Sequence, residues 1–451
     1  MLLALLIGLI TQAELAEISG LLRAGRTAEA LRILEPMATR QPDDAVVAGL
    51  LGRARLHAGD ARGAVQPLLR SLATLSEDGE GYNNLGVAFM QLERTEDAAK
   101  AFARAAVLMP RQPQAWRNLA GAYTNLQRHD DAVAAWARYI AFVPADGPAR
   151  CVYGGILLQQ KKYRDAAIQL RAGARGSKDP VCLHDYADAL GRLGEPGEAL
   201  KILDRLLAVD PKDGHAHYLR AYILIGMASA GDSAKGSKAL TAIERSVAMA
   251  PKRAGSHHLH GYILGQLDRH EEALKAYGRA RDLEPKNNLY AEAEAIARVR
   301  VGEGEKVRGL LQRLVREQPD NVEAARALAH VHMSAKRWKK ALRVLDGLRG
   351  EHLAAAVDRA VVLMAQGKHD KAYAGLKPLQ AKHPKHQATH YNAALALRHL
   401  GGPAEALRAA RTARSLEASP GDALRLEARL MLELGQATVI LTNRRVGEGR
   451  V

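Results

Sequence analysis

The sequence predicts an all-α fold built from about twelve stacked helix pairs. One alanine recurs along the chain, mostly at steps of about 34 residues, and a proline repeats with the same period. Aromatic residues make up only 4% of a chain that is 47% hydrophobic, so small and aliphatic side chains must fill the core. The recurring alanines are Ala30, Ala64, Ala98, Ala132, Ala166, Ala199, Ala239, Ala273, Ala341, Ala372 and Ala406, with Val307 in the one remaining place.

A single repeat unit shows why this pattern predicts two helices. Residues 82–110 read YNNLGVAFMQLERTEDAAKAFARAAVLMP, two stretches with apolar residues at helical spacing around a short polar segment. Gly86 and Ala98 stand where the two helices would cross, and their small side chains allow close approach. Pro110 would end the second helix, because proline lacks an amide donor and disfavours helix in the preceding residue. One pair cannot bury its own apolar face, so the pairs must stack on their neighbours.

These features resemble the tetratricopeptide repeat, whose motif is W-x2-L-G-x2-Y, A-x3-F-x2-A, P. The matching residues are Tyr82, Leu85, Gly86, Phe89, Ala98, Phe102, Ala105 and Pro110 in residues 79–112, Trp116, Leu119, Ala120, Tyr123, Ala132, Trp136 and Pro144 in residues 113–146, and His257, Gly261, Leu264, Ala273, Tyr277, Ala280 and Pro285 in residues 254–287. The resemblance covers residues 11–420 and implies a right-handed α-α superhelical solenoid of about twelve tetratricopeptide (TPR) helix pairs. Residues 421–451 are expected to form a C-terminal capping helix and tail. No linker divides the chain cleanly, so we treat the repeats as one domain.

Two repeats depart from the period. The step from Pro211 to Pro251 is longer than the others, and its surplus falls in GMASAGDSAKGSK, a glycine- and serine-rich stretch that predicts a lengthened loop. The step from Ala341 to Ala372 is shorter than the others, and no proline is present around residues 347–353. We expect an irregular joint there.

Residues 1–10, MLLALLIGLI, form an apolar N-terminal segment with three open interpretations. It resembles the apolar part of an export signal, although the positive residues that usually precede that part are missing. It could equally form a cap on the fold, or result from a misassigned start. Ten residues are too few to span a bilayer, which needs about 20, so we predict no transmembrane span. We expect a cytoplasmic protein, with export to the periplasm as the alternative.

The sequence offers little support for catalysis, a cofactor or a metal. GDSAKGSK, residues 231–238, lacks the order of a phosphate-binding loop, because Ser237 separates the second glycine from the lysine. Cys151 and Cys182 do not have metal-ligand spacing, and we expect two buried or idle thiols, with a single disulfide as the alternative. His257 and His260 align with packing positions of the repeat, and we expect both to be partly buried. We therefore predict no catalytic, cofactor-binding or metal residue.

The resemblance supplies a candidate binding site in the middle repeats. In tetratricopeptide proteins the first helix of each pair lines the concave groove, and these positions can be transferred to residues 180–287. Tyrosine combines rigid apolar area with a polar tip, which is the chemistry of binding hot spots. Tyr222 and Tyr262 hold the same place in successive repeats, so we expect them to lie side by side. The candidate residues are His184, Asp188, Arg192, His215, Tyr218, Tyr222, His258, Tyr262 and Gln266.

The leading functional prediction is a non-enzymatic scaffold that binds an extended or helical segment of another protein in its groove. An enzyme is disfavoured because the repeats leave only about thirty residues for any other domain. The alternative is an acidic partner or nucleic acid on the basic C-terminal repeats. Residues 300–451 carry 27 Lys and Arg against 15 Asp and Glu, whereas residues 1–150 carry 16 of each. We expect nucleic acid to be the less suited of the two, because the groove positions vary too much for a repeating base code.

Overall fold

The computed structural model describes residues 11–228, 233–416 and 421–434. In these ranges the chain forms 25 helices and no strand, which confirms the all-α class and the twelve helix pairs followed by one further helix. We call the two helices of each pair the first and the second helix. The first helices are α1 (Gln12–Arg23), α3 (Ala45–His57), α5 (Gly79–Gln91), α7 (Pro113–Asn125), α9 (Gly147–Gln159), α11 (Pro180–Leu193), α13 (Gly214–Gly226), α15 (Ala254–Gln266), α17 (Asn288–Arg300), α19 (Val322–Ser334), α21 (Leu353–Ala365) and α23 (Gln387–His399). The second helices are α2 (Thr27–Arg40), α4 (Ala61–Thr74), α6 (Thr95–Leu108), α8 (His129–Phe142), α10 (Tyr163–Gly173), α12 (Pro196–Val209), α14 (Ser233–Met249), α16 (His270–Leu283), α18 (Gly304–Glu317), α20 (Trp338–Asp346), α22 (His369–Lys382) and α24 (Pro403–Ser415), and α25 (Asp422–Glu433) follows them.

Each helix packs mainly on its neighbours in sequence. The two helices of a pair lie together, as α3 and α4 do, and a second helix also contacts the first helix of the next pair, as α4 contacts α5. Contacts between Cα atoms divide the chain into two compact units, unit 1 (Met1–Leu206) and unit 2 (Leu207–Val451). We describe the units separately. The predicted division into residues 1–10, 11–420 and 421–451 stays a prediction, and residues 1–10 and the tail from residue 435 lie outside the described ranges.

The recurring alanine sits at the tightest point of each pair. Ala98 and Ala132 are fully buried, as are most of the other alanines at this position. A second contact recurs between the small residue of the first helix and the side chain sixteen positions later. A Cβ atom added to Gly86 would lie 2.5 Å from the ring of Phe102, and one added to Gly154 would lie 2.5 Å from Leu170. The small residues therefore let a large side chain from the second helix lie directly on the backbone of the first.

The turn inside each pair uses one residue in the left-handed conformation. It lies five positions before the recurring alanine in ten of the twelve pairs and before Val307 in one more, while the connection from α13 to α14 includes residues outside the described ranges. Glycine adopts positive φ without the steric cost that other residues meet. The residues at this position are Gly25, Gly59, Glu93, Gln127, Lys161, Gly194, Asp268, Gly302, Lys336, Gly367 and Gly401.

The proline near the end of a second helix is tied to the next repeat by a side-chain hydrogen bond. Trp116 donates from its indole nitrogen to the carbonyl oxygen of Pro110, at 2.9 Å. His257 donates from Nε2 to the carbonyl oxygen of Pro251 at the same distance, six residues upstream. His217, His390 and Arg150 make the equivalent bond to Pro211, Pro384 and Pro144. These bonds satisfy the carbonyl group of the proline that follows the second helix, and they join the connection between pairs to the next first helix.

Both predicted irregularities appear, one of them in altered form. Helix α14 begins at Ser233 and has 17 residues, longer than the usual second helix, so part of the surplus is helical rather than loop. Helix α20 has only nine residues, which confirms the irregular joint. A cavity of about 440 Å³ lies beside this joint, between α20, α21 and α22.

The expectation of two free thiols is wrong. Cys151 of α9 and Cys182 of α11 form a disulfide between the first helices of successive pairs, and no free cysteine remains in the chain. Both cysteines are buried in unit 1. Their sequence separation of 31 gave no signal, because the bond depends on how closely the two helices stack.

Helix α25 is attached to unit 2 through a buried carboxylate. Glu427 is 5% exposed and receives the guanidinium groups of Arg411 and Arg414 of α24, at 3.2 and 3.1 Å. The apolar side of the helix packs against α23 and α24 through Leu426 and Leu430. The last described helix is thus held by both apolar packing and a buried carboxylate paired with two half-exposed arginines.

Candidate functional site

The candidates in unit 1 lie on α11. Asp188 and Arg192 are one helical turn apart and form an ion pair at 2.9 Å. The guanidinium carbon of Arg192 also lies 5.5 Å from the ring centre of Tyr163 on α10. His184 is half-buried on the same helix. These three candidates thus share one helix, and two of them contact each other.

Sequence reasoning missed the carboxyl group of Asp185, which lies between His184 and Asp188 on α11. Burial, together with the neighbouring carboxylates of Asp188 and Asp179, raises the pKa of Asp185 to about 6. One of its carboxylate oxygens occupies the space that a side chain at Gly155 of α9 would need, 2.8 Å from the position of a Cβ atom. No pattern in the sequence marks this residue, because its environment depends on a glycine in the previous repeat.

In unit 2, His215 and Tyr218 belong to a cationic and aromatic cluster. The two rings stack with centres 6.0 Å apart. The guanidinium of Arg253 lies 4.4 Å from the centre of the Tyr218 ring and contacts Nδ1 of His215. A cation over an aromatic face is attracted by the ring quadrupole. This contact fixes the first turn of α13 against the start of α15.

His258 occupies an aromatic enclosure on the next helices. Its ring centre lies 5.5 Å from that of Tyr277 on α16 and 5.3 Å from that of Tyr290 on α17. Burial lowers the pKa of His258 below its ordinary value and raises the pKa of Tyr277 to about 12. Both groups are therefore neutral at pH 7, and His258 gains charge only at a pH below the usual range for histidine.

Tyr222 and Tyr262 are the most open aromatic candidates. Their exposed fractions are 38% and 46%, which is high for side chains of this size. Gln266, one turn after Tyr262 on α15, is also exposed. The expectation that the two tyrosines lie side by side stays a prediction.

The other histidines of the middle repeats are buried or half-buried, and two of them have structural partners. His217 and His257 are buried and bonded to proline carbonyl groups, as described above. Burial lowers the pKa of His260, which is half-buried. Across the ranges that the structure describes, no three His, Cys, Asp or Glu side chains gather in a way that could hold a metal ion.

The same first-helix positions continue beyond the predicted site and form a recess that sequence reasoning did not find. Ile296 of α17 and His330 of α19 follow Tyr262 at successive steps of one repeat period. A cavity of about 260 Å³ lies between these two helices, and we call it the α17–α19 recess. The repeat register could have indicated it, but our site prediction stopped at residue 287. Its lining residues are Ile296, Val299, Arg300, Glu323, Arg326, Ala327, His330 and Ser334.

A buried carboxylate of the following helix holds the recess in shape. Asp358 of α21 is 8% exposed and accepts a hydrogen bond from Nε of Arg326 at 2.7 Å. Nε2 of His330 lies 3.3 Å from its other carboxylate oxygen. Burial alone would raise the pKa of Asp358, but the contacts with His330 and Arg326 outweigh it and keep the pKa below its ordinary value. The carboxylate is therefore charged at pH 7 and orients the guanidinium of Arg326.

Membrane insertion through a helix finds no support in the described ranges. None of their helices combines the length and the apolar character that crossing a bilayer requires.

Comparison with known proteins finds the same repeat that the sequence pattern predicted. Sequence profiles of the tetratricopeptide repeat match residues 15–80, 83–150 and 292–356, residues 180–223, and residues 254–287. Protein y4yS of Sinorhizobium fredii (strain NBRC 101917 / NGR234) is 34% identical over 100 residues, which are 22% of this chain and 54% of that protein. The chain thus spans about half the length of this curated relative.

Solved structures resemble the chain at low identity. The Cut9–Hcn1 hetero-tetramer of APC/C gives a TM-score of 0.46 at 12% identity, covering 92% of this chain and 95% of that one. Yeast Tom70 gives 0.40 at 14% identity, covering 97% and 96%. A tetratricopeptide repeat protein from Parabacteroides merdae gives 0.40 at 17% identity, covering 56% and 98%. All three scores are below 0.5, so the assignment rests on the sequence profiles, which together match more than half of the chain, and on the helix pairs. The chain belongs to the tetratricopeptide repeat family.

Proposed function

We propose that the protein is a non-enzymatic scaffold that binds an extended or helical segment of another protein along the first helices of unit 2. The observation that supports this most is the exposure of Tyr222 and Tyr262 at the same position of successive first helices. A large aromatic ring that stays exposed in the free protein is unfavourably hydrated. It contributes strongly to the binding free energy when a partner buries it. Repeat pairs occupy nearly all of the described chain, which leaves little room for a catalytic domain.

The candidate side chains on the first helices of the second unit differ in what they can offer to a partner. His215 and Tyr218 are engaged with Arg253, and His258 is enclosed by two tyrosines. Because Tyr222 and Tyr262 are the most exposed of the aromatic candidates, we assign the anchoring role to them, with Gln266 as an adjacent polar contact. His215, Tyr218 and His258 would support the surface from below. His184, Asp188 and Arg192 of α11 remain candidates for a separate contact in unit 1.

The test begins with affinity capture by the full-length protein and identification of the captured protein. Binding isotherms are then measured for wild type, Tyr222→Ala, Tyr262→Ala and the control Phe142→Ala. Phe142 is 45% exposed but lies on a second helix. Each tyrosine variant should weaken binding by about 1–2 kcal/mol, roughly fivefold to thirtyfold, while the control stays near wild type. Circular dichroism verifies the fold, and unchanged affinity in both folded tyrosine variants would contradict the proposal.

The basic C-terminal repeats support one alternative, an acidic partner or nucleic acid. Lys339 and Lys340 are exposed on α20, where such charges would mainly steer association. Binding of random-sequence RNA at low salt that declines steeply as salt rises would favour nucleic acid. No RNA binding at low salt would remove that option and leave an acidic protein.

The disulfide favours the exported alternative over a cytoplasmic location. Disulfides persist in oxidising compartments and are rare in the cytosol, where thiols are kept reduced. Both cysteines of this chain are consumed in one buried bond. We propose that the protein works in an oxidising compartment such as the periplasm. Denaturation in the cell of origin with an alkylating reagent should leave both cysteines unlabelled unless a reductant is added, and labelling without reductant would support the cytoplasm instead.

A further inference from the structure

The α17–α19 recess presents hydrogen-bond donors against an apolar wall. Ile296, Val299 and Ala327 form the apolar part. The guanidinium groups of Arg300 and Arg326 form the donor-rich part, next to His330 and Ser334. Guanidinium groups have five N–H donors and no acceptor, so they select ligands that accept hydrogen bonds.

The two arginines differ in how firmly they are held. Arg326 is 21% exposed and is oriented by Asp358 through Nε. Arg300 is exposed at the end of α17, and it forms no ion pair with any residue in the described ranges. A fixed donor beside an uncompensated cation is suited to an anionic group, because the charge of Arg326 is already balanced by Asp358 and that of Arg300 is not.

One acid opposes this preference. Glu323 lines the recess and lies 3.4 Å from Nη1 of Arg326, but its side chain is 60% exposed. An ion pair at this distance with a largely exposed carboxylate contributes little to stability. A better-placed carboxylate from outside could therefore replace it on Arg326.

The size of the recess limits what it can hold. Sites for whole small molecules usually measure about 300–1,000 Å³, and the recess has about 260 Å³. It is therefore suited to one or two side chains of a longer ligand. Residues 300–451 carry a net charge of +12, which would raise the local concentration of an acidic partner.

We propose that the α17–α19 recess binds a glutamate or aspartate side chain of the same protein segment that Tyr222 and Tyr262 hold. This inference rests on the proposed function and adds the chemistry of the partner. The carboxylate contacts Arg300 and Arg326, and the aliphatic part of the side chain lies against Ile296 and Val299. Arg300 and Arg326 thereby select acidic segments. The tyrosines provide apolar contact area that many different segments can use.

The stacking of the first helices also predicts the spacing within the partner. Packed helices lie about 8–10 Å apart, so the recess lies roughly 12–15 Å beyond the helix of Tyr262. An extended chain advances about 3.3 Å per residue. The acidic residue should therefore stand about four or five residues from the residue that contacts Tyr262.

The experiment selects random 12-residue displayed peptides on the immobilised full-length protein. Selected peptides are resynthesised with each Asp or Glu changed to Asn or Gln, and affinities are measured for wild type, Arg300→Gln, Glu323→Gln and the control Arg313→Gln. Arg313 is an exposed arginine on the second helix α18 and forms no ion pair among the described residues. It therefore controls for the loss of one positive charge.

For each selected peptide, changing one particular Asp or Glu to its amide should weaken the affinity for the wild-type protein at least tenfold. Arg300→Gln should weaken the acidic peptide at least tenfold and reduce the difference between the acidic and amide peptides to below threefold. Glu323→Gln should tighten the acidic peptide, and Arg313→Gln should change its affinity by less than twofold. Equal effects of Arg300→Gln and Arg313→Gln, or selected peptides without a required acid, would overturn the inference.

The tyrosine variants separate this inference from the proposed function. If Tyr222→Ala and Tyr262→Ala weaken the peptides but Arg300→Gln does not, the groove binds protein and the recess has no part in it. If neither tyrosine variant weakens them, both proposals fail. A selection that yields no peptide above background would also contradict both.

Discussion

Two glycines on α15 allow the close approach of the helices to be measured with a matched control. Gly261 and Gly265 are one helical turn apart. A Cβ atom at Gly261 would lie 2.8 Å from Cδ1 of Tyr277 and 2.9 Å from two further ring atoms, whereas a Cβ atom at Gly265 would meet nothing within 4 Å. The two Gly→Ala substitutions therefore both raise helix propensity, but only Gly261→Ala overpacks a contact.

The magnitudes can be estimated from these distances. Alanine in place of glycine in a helix stabilises by about 0.4–1 kcal/mol, largely by restricting the unfolded chain. Gly265→Ala should show this gain. At Gly261 the ring of Tyr277 must move, and overpacking a buried contact costs about 1–3 kcal/mol. Gly261→Ala should therefore destabilise by about 1–2 kcal/mol in total.

The assay is urea unfolding of both variants, combined with hydrogen exchange of α15 and α16. Hydrogen exchange is needed because repeat arrays often do not unfold in a single step. Loss of protection in Gly261→Ala should be largest in this pair of helices. Equal stabilisation by the two substitutions would refute the idea that the small residue is required by the aromatic ring of the second helix.

Three further predictions address other features of unit 1. Ala98→Leu should overpack its helix crossing and cost about 1–3 kcal/mol, seen as lost hydrogen-exchange protection that is greatest in α5 and α6; uniform loss along the chain would count against stacked repeats. Because the pKa of Asp185 is raised to about 6 in the folded protein, its contribution to the free energy of unfolding should fall as pH rises from about 4 to 6, measured as the difference between wild type and Asp185→Asn. Asp185→Asn should remove this dependence and raise the melting temperature at pH 7.5 but not at pH 4, and equal melting temperatures at pH 7.5 would contradict the environment of this carboxyl. Replacing Cys151 and Cys182 together by alanine should cost about 3–4 kcal/mol in urea unfolding, from a closed loop of about 31 residues; an unchanged unfolding free energy under oxidising conditions would contradict the bond.

Much of the fold could be predicted because its determinants are local and repeated. The repeat pattern placed Gly86 and Ala98 where the two helices of a pair cross, and the ring of Phe102 over Gly86 was seen only in the structure. The hydrogen bonds to the terminal prolines were not predicted, because Trp116, Arg150 and His257 satisfy the same carbonyl with three different chemistries. This position requires only a side chain that can donate a hydrogen bond and is long enough to reach the proline carbonyl. A search for identical residues therefore does not detect it.

The candidate site was predicted less completely, since it depends on contacts between repeats. The exposure of Tyr222 followed from its register, because first-helix positions of this kind are not core positions. The contact of Arg253 with the ring of Tyr218 and the hydrogen bond from Arg326 to Asp358 could not be predicted from the repeat register. Such partners belong to different repeats, and only the stacking brings them together.

The disulfide between α9 and α11 also determines how the protein would respond to a pulling force. A repeat array stretched from its ends can lose its repeats one after another, and each lost residue adds about 3.3–3.6 Å of chain. The bond encloses the whole of α10, and its cysteines are 31 positions apart. Roughly 100 Å of chain is therefore withheld from extension as long as the bond is oxidised. Reducing the disulfide would therefore lengthen the protein under a pulling force, even if the unloaded structure stayed the same.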